Sequence, residues 1–200
     1  MNTFREVRYE TLHETVDYTL PSVFLAGPTV RGHQPHLKSW RPAAVEWFRI
    51  KGFKGNIIIP EFSSKVESDK YRYDIPEWEF EGLIKSHVIL VWLPRTKELI
   101  GLTTNWEHGY WVARDRAKMI YGRPDDAYRV QYLDIMWAAD ARDRQERDPE
   151  HKYVPCPIYN TLEKTVAASM ELFTLTNTIA SKDEECTCRQ PICVCWHDEK

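Results

Sequence analysis

The chain has 200 residues, 42% of them hydrophobic, and a formal net charge of −3 at pH 7. These values fit one domain with a tail, or at most two small domains, and give no indication of a nucleic-acid polymer as partner. No run of 18 apolar residues and no signal-peptide core are evident, so we expect a soluble, cytoplasmic protein without a membrane span.

The first third of the chain alternates apolar runs with polar stretches. Residues 1–21 are polar and mixed, which predicts an extended lead-in or a peripheral strand. The apolar run Ser22–Pro28 predicts a buried strand ending in a tight loop. Apolar residues at helical spacing after Ser39 predict a helix, and Asn56–Glu61 predicts a second strand. The polar stretch 62–73 predicts a loop beside a site.

The rest of the chain continues this alternation. Pro76 suits a first helical turn and predicts a helix to Ile84. The continuous apolar run His87–Leu93 predicts a third, fully buried strand. The further predicted elements are a helix at 106–118, a strand at 118–122, and helices at 128–145 and 162–178. We expect the last helix to pack on the sheet or on a partner chain.

Strands that alternate with helices indicate an α/β protein. We predict a doubly wound parallel sheet of flavodoxin-like order, flanked by helices. The predicted organisation is a lead-in at 1–21, an α/β domain at 22–180 and a Cys-rich tail at 181–200.

The stretch TTNWEHGYW follows the third predicted strand and opens a helix. In open α/β sheets, ligands bind at the carboxyl ends of the strands. We expect Asn105 or Thr104 to cap the helix, which puts Glu107 in its first turn. Alternatively, Glu107 is only a first-turn acid favoured by the helix dipole. His108 points about 100° away from Glu107, which favours a packing or surface position.

The motifs of several enzyme classes are missing. G-x-G-x-x-G, the P-loop, G-x-S-x-G and H-x-x-x-H do not occur. What remains is a set of carboxylates near the predicted strand ends: Glu61, Asp74, Glu79 and Glu107. Cleavage of a glycosidic bond needs one carboxylate that attacks the sugar and a second group that handles the proton on the leaving group. Aromatic side chains offer flat faces to a nucleobase, and Trp78 is a candidate substrate contact.

Eight short motifs occur in order over residues 22–134: VFLAGP, SWR, GF…IIIPE, PEWE, VILVWLPR, LTTNWEHGYW, YGRPDDA and YL. As an ordered set they resemble the nucleoside 2-deoxyribosyltransferase-like family, in particular the branch with a T-N-x-E-x-G nucleophile motif. The resemblance implies a flavodoxin-like fold, a nucleoside or nucleotide substrate and a retaining, two-step mechanism without a catalytic cofactor. Because relatives often complete each other's sites as dimers, it also implies a homo-oligomer.

The resemblance implies a role for several residues. Glu107 matches the nucleophile that forms a glycosyl-enzyme at C1′ of the sugar. Glu79 is the best match for the acid that manages the proton on the base, and Asp74 is the second. The implied substrate contacts are Gly27, Pro28, Arg31, Thr104 and Asn105.

The chain departs from the family pattern at Gly101, where classical members carry an acidic residue about six positions before the nucleophile. The base, the sugar, the 5′-phosphate and the acceptor, either a second base or water, stay open. The alternative function is a catalytically silent domain that binds or senses a nucleotide.

Four cysteines lie close together in the tail, with the spacing Cys186-x-Cys188-x₄-Cys193-x-Cys195. Four thiolates suit a structural zinc ion, although C-x-C is tighter than the usual spacing. The other interpretation is a flexible tail with reduced or oxidised thiols. If the tail binds zinc, a further alternative function is a zinc-dependent interaction module.

Overall fold

Five parallel strands form the sheet of this α/β protein. The computed structural model describes residues 4–11, 16–63, 74–149 and 157–180. The strands are β1 (Arg5–Arg8), β2 (Ser22–Ala26), β3 (Asn56–Ile59), β4 (Val88–Trp92) and β5 (Met119–Gly122), in the order β1-β3-β2-β4-β5. Without β1, this is the order of a flavodoxin-like sheet, as predicted.

In the described part of the chain, five α-helices cover the sheet on both faces. They are α1 (Arg41–Ile50), α2 (Asp74–Lys85), α3 (Leu102–Asp115), α4 (Gln131–Arg147) and α5 (Leu162–Ala180). One core cluster joins α1 and α5 to the sheet, and the other joins α2, α3 and α4 to its opposite face. Because both faces are covered, every residue of β2 to β5 is buried, which explains why these strands are continuous apolar runs. In the described part of the chain, no helix is long and apolar enough to cross a membrane.

The N-terminal lead-in contributes the strand β1. It pairs with β3 in parallel, from Arg5 opposite Asn56 to Arg8 opposite Ile59. The chain then enters a short 3₁₀ turn that begins at Tyr9. Tyr9 is therefore delivered to the carboxyl edge of the sheet.

The start of α3 differs from the prediction. The helix begins at Leu102, with Gly101 as its N-cap in the left-handed region (φ 63°) and with no side-chain cap hydrogen bond from the described residues. The prediction that Asn105 or Thr104 caps the helix is therefore wrong, because the chain turns at Gly101. A Cβ at Gly101 would lie 2.7 Å from Cβ of Pro28, so glycine is required both for its φ and for this contact. Glu107 consequently lies in the second turn of α3.

The close packing of α5 on the sheet depends on Gly122, where a Cβ would lie 2.2 Å from Oγ1 of Thr165 and 2.9 Å from Cε3 of Trp92. We expect Gly122→Ala to lower the free energy of unfolding by about 1–3 kcal/mol, because the added methyl group overpacks this contact. The matched control is Gly109→Ala in α3, where the new Cβ has no described atom within 4 Å apart from the adjacent backbone of its own helix. This control should gain about 0.5–1 kcal/mol from helix propensity. Chemical denaturation of both variants tests the pair, and equal stability of the two would contradict this account of the packing.

Candidate active site

A cavity of about 720 Å³ opens at the carboxyl edge of the sheet. Its walls come from the ends of β1, β2 and β3 and from the facing sides of α2 and α3. The lining residues include Tyr9, Gly27, Thr29, Arg31, His33, Arg41, Pro60, Phe62, Ile75, Pro76, Glu79, Phe80, Leu83, Thr103, Trp106 and Glu107. The cavity thus occupies the position at which open α/β sheets bind ligands.

Two half-buried carboxyl groups face this cavity, Glu79 from α2 and Glu107 from α3. Burial, and next the negative charge of Glu79, raise the pKa of Glu107 to about 7, while Arg41 acts in the opposite direction. Burial also raises the pKa of Glu79, although a hydrogen bond from Tyr9 and the charges of Arg41 and Arg31 oppose the rise. The two groups interact and titrate as a pair, so one of them readily holds a proton near neutral pH.

The guanidinium of Arg41 lies beneath the cavity and is almost completely buried. It donates to the carbonyl oxygens of Leu25 (3.2 Å), Gly27 (2.9 Å) and Pro28 (3.4 Å). Its Nη1 also lies 4.0 Å from Oε1 of Glu61. Burial lowers the pKa of Arg41, and the carboxylates around it, first of all Glu61, act against this. A buried cation therefore fixes the loop after β2 and partly compensates the negative charge of the site.

Aromatic side chains form much of the cavity wall. Tyr9 packs against Phe62 and Trp78, with ring centroids 4.9 Å and 5.0 Å away, and its hydroxyl donates a hydrogen bond to Oε1 of Glu79. The ring centroids of Phe80 and Trp106, two further lining residues, lie 6.3 Å apart, and both side chains remain partly exposed. Exposed aromatic faces beside two carboxyl groups suit a ligand that has both a planar ring and a reacting polar centre.

A family model described as "Nucleoside 2-deoxyribosyltransferase like" matches residues 20–126, which is more than half of the chain. The chain belongs to this family. Membership supports glycosyl transfer as the general activity and a nucleoside as the class of substrate. A search of curated proteins finds no match.

The structure brings four of the predicted site residues of this family member to the cavity: Gly27, Arg31, Glu79 and Glu107. Glu79 and Leu83 share one face of α2, as their spacing predicted. Asp74 is the first residue of α2, and its side chain lies outside the described part of the structure.

Four other predicted contacts lie away from the cavity lining. Thr104 is buried, and Oδ1 of Asn105 accepts a hydrogen bond from Nη2 of Arg95 at 2.5 Å, beside a second hollow between α3 and α4. Trp78 packs edge-on against Tyr9, and the carbonyl of Pro28 accepts hydrogen bonds from Trp40 and Arg41. The early start of α3 explains the position of Asn105, because a residue two places before Glu107 points to another side of a helix.

Thr103, Arg41 and Tyr9 are among the cavity residues that the sequence analysis missed. Thr103 precedes Glu107 by four residues and therefore shares its helix face. Arg41 lies on the buried face of α1, three residues before Ala44. A charged residue at such a position is a sequence signal that could have pointed to the site. Tyr9 carries no such signal, because its place depends on how β1 pairs within the sheet.

His108 is a packing residue, one of the two positions predicted for it. Its ring lies edge-on to Tyr121, with centroids 4.8 Å apart, and it is 1% exposed. Burial, followed by the charges of Arg95 and Arg116, lowers the pKa of His108 to about 4. It is thus a neutral core residue on the far side of α3 from Glu107.

No group of three or more His, Cys, Asp or Glu side chains in the described residues is arranged to hold a metal ion. The four tail cysteines lie in residues 181–200, outside the described part of the chain. Zinc binding by Cys186, Cys188, Cys193 and Cys195 therefore stays a prediction.

The raised pKa of Glu107 has a consequence for stability. Its folded pKa of about 7 exceeds the ordinary value of 4.5, so the folded state loses stability as the pH rises from about 4.5 to 7. Glu107→Gln removes this penalty and should increase the free energy of unfolding at pH 8 by about 1–3 kcal/mol. At pH 4, where both states are protonated, the difference should be small.

Melting temperatures at the two pH values test this expectation. The exposed residue Glu77 on α2 supplies the control variant Glu77→Gln, which should change stability little at either pH. A Glu107→Gln variant less stable than the wild type at pH 8 would contradict the expected sign.

Proposed function

We propose that the protein cleaves the N-glycosidic bond of a (2′-deoxy)nucleoside or nucleotide through a glycosyl-enzyme at Glu107. The sugar then passes to another base or to water. The observation that carries the proposal is the pair of interacting carboxyl groups, Glu107 and Glu79, on facing sides of one cavity at the carboxyl edge of the sheet. Retaining cleavage of a glycosidic bond needs such a pair, one as nucleophile and one to handle a proton.

Glu107 acts as the nucleophile in this proposal. In the first step its carboxylate oxygen bonds to C1′ as the C1′–N bond breaks, and the bond electrons leave with the base. Negative charge next to C1′ stabilises the oxocarbenium-like transition state. Limited exposure to water strengthens this interaction, and the pKa of about 7 leaves a substantial ionised fraction at neutral pH.

Glu79 handles the proton on the base. Burial raises the pKa of Glu79 and so favours its protonated form, which gives its proton to the departing base. In the second step the resulting carboxylate takes a proton from the incoming water or base, which attacks C1′ and releases Glu107. Asp74, at the start of the same helix, is the second candidate for this role.

The remaining cavity residues suit the parts of a nucleoside. Phe62, Phe80 and Trp106 offer faces for a nucleobase. Arg31 and His33 lie on the loop after β2 and suit an anionic 5′ substituent. These residues support a nucleoside or nucleotide as the substrate, with the phosphate to be decided by experiment.

Mass spectrometry of the intact protein with a panel of nucleosides and 5′-monophosphates tests the proposal, together with chromatography for free base. We expect released base and an adduct with the mass of the sugar on Glu107. Addition of a second base then separates transfer from hydrolysis.

Glu107→Ala should reduce base release by at least about 10³-fold, because no nucleophile remains. The Glu77→Gln variant should keep wild-type activity, since this exposed side chain lies outside the cavity lining. Normal turnover by a folded Glu107→Ala protein would contradict the proposed mechanism.

The rate should follow a bell-shaped curve with pH. The active form of the pair holds one proton, with Glu107 ionised, so kcat/KM rises with pH as the pair loses its first proton and falls as it loses the second. Glu79→Gln should lower the rate and remove the fall at high pH, because its amide does not titrate. A basic limb that persists in this variant would exclude Glu79 as its source.

Gly101 favours one alternative, a catalytically silent nucleotide-binding domain. The chain lacks the acidic residue that classical members carry at this position. An acidic side chain here would clash with Pro28. Calorimetric binding of a nucleotide without any release of base would support this alternative.

A further inference from the structure

Tyr9 reaches the cavity from outside the part of the chain that matches the family model, which starts at residue 20. The register of β1 places Arg8 beside Ile59, so Tyr9 leaves the sheet at the same edge as Pro60. Its side chain is 5% exposed and lines the cavity. The added N-terminal strand thus contributes a side chain to the candidate active site.

The ring of Tyr9 is held in place on two sides. Phe62 contacts it in a tilted arrangement at 4.9 Å, and Trp78 contacts it edge-on at 5.0 Å. Aromatic contacts of this kind fix both the position and the plane of a ring. The hydroxyl group therefore has a defined location beside Glu79.

The hydroxyl of Tyr9 donates to Oε1 of Glu79. Burial, and next the charge of Glu79, raise the pKa of Tyr9 far above its ordinary value, so the phenol keeps its proton and stays a donor. Oε1 is thus occupied as an acceptor. Oε2 receives no hydrogen bond from the described residues.

We propose that Tyr9 is a positioning residue that selects the proton-carrying oxygen of Glu79. Because Oε1 accepts from Tyr9, the transferable proton resides on Oε2 and is aimed at the leaving base. This inference rests on the proposed function, in which Glu79 handles the proton on the base. As the C1′–N bond breaks, its electron pair goes to the base, the proton moves from Oε2 to a base nitrogen, and Tyr9 keeps its own proton.

The charged groups around Glu79 determine what the loss of this hydroxyl would do. Arg41 of α1 and Arg31 of the loop after β2 favour the carboxylate, and Glu107 of α3 opposes it. The hydrogen bond from Tyr9 also favours the carboxylate. Without it, Glu79 holds its proton more tightly, so the pKa of Glu79 rises.

The test is Tyr9→Phe, which keeps the ring between Phe62 and Trp78 and removes only the hydroxyl. The carboxyl carbon of Glu79 is followed by NMR against pH in the wild type and the variant, with Glu79→Gln for assignment. We expect Glu79 to titrate at higher pH in Tyr9→Phe. The matched control is Tyr18→Phe, a half-buried tyrosine outside the cavity lining, which should leave this titration unchanged.

Activity gives the second readout. In Tyr9→Phe we expect kcat to fall about tenfold to hundredfold, and the basic limb of the pH profile to move to higher pH. A purely structural role would lower the rate without moving this limb. In a Glu79→Gln background, Tyr9→Phe should have little further effect, because the two residues act as one unit.

The outcomes separate this proposal from the proposed function. An active enzyme in which Tyr9→Phe leaves both the Glu79 titration and the basic limb unchanged overturns the role of Tyr9 alone. A wild-type protein that releases no base from any substrate overturns the proposed function and, with it, the proton transfer. Independent, additive losses in the double variant would also overturn the proposal.

Discussion

The arrangement of the site depends on the hydrogen bonds and the charge of the buried Arg41 guanidinium. Its donors hold the carbonyl oxygens at the end of β2, and this fixes the course of the loop that forms one wall of the cavity. Its charge is the only one from α1 that acts on Glu107 and Glu79 among the described residues. A cation in this position makes a pair of half-buried carboxyl groups tolerable without placing a donor directly on the reacting centre.

The electrostatics of the cavity favour a state in which only one of the two carboxyl groups, Glu107 and Glu79, is ionised. Each carboxylate makes ionisation of the other less favourable, so the pair tends to hold one proton between them near neutral pH. In the proposed mechanism, this state supplies the ionised nucleophile and the acid that the first step of a retaining cleavage requires. The stability lost through the raised pKa of Glu107 is an example of a site whose chemistry opposes its folding.

Local patterns in the sequence predicted the fold and the central residues, while features that depend on long-range pairing were missed. Continuous apolar runs predicted β2 to β5 correctly, because these strands are covered on both faces. The sequence placed Glu107 and Glu79 near one site because they lie on either side of the third predicted strand, and the structure brings both to the cavity. The start of α3 was wrong because a left-handed Gly101 replaces a side-chain cap. Tyr9 could not be found, since nothing local predicts that β1 pairs with β3.

The position of β1 also matters for how the domain is delimited. A boundary drawn at residue 20, where the family match begins, would remove this strand together with Tyr9. The edge of β3 would then be uncovered, with the apolar segment Asn56–Ile59 presenting unpaired backbone N–H and C=O groups. Such an edge is a template for pairing with another chain, so the shortened protein would be prone to self-association through strand addition. The first strand is thus a protective cover for the sheet.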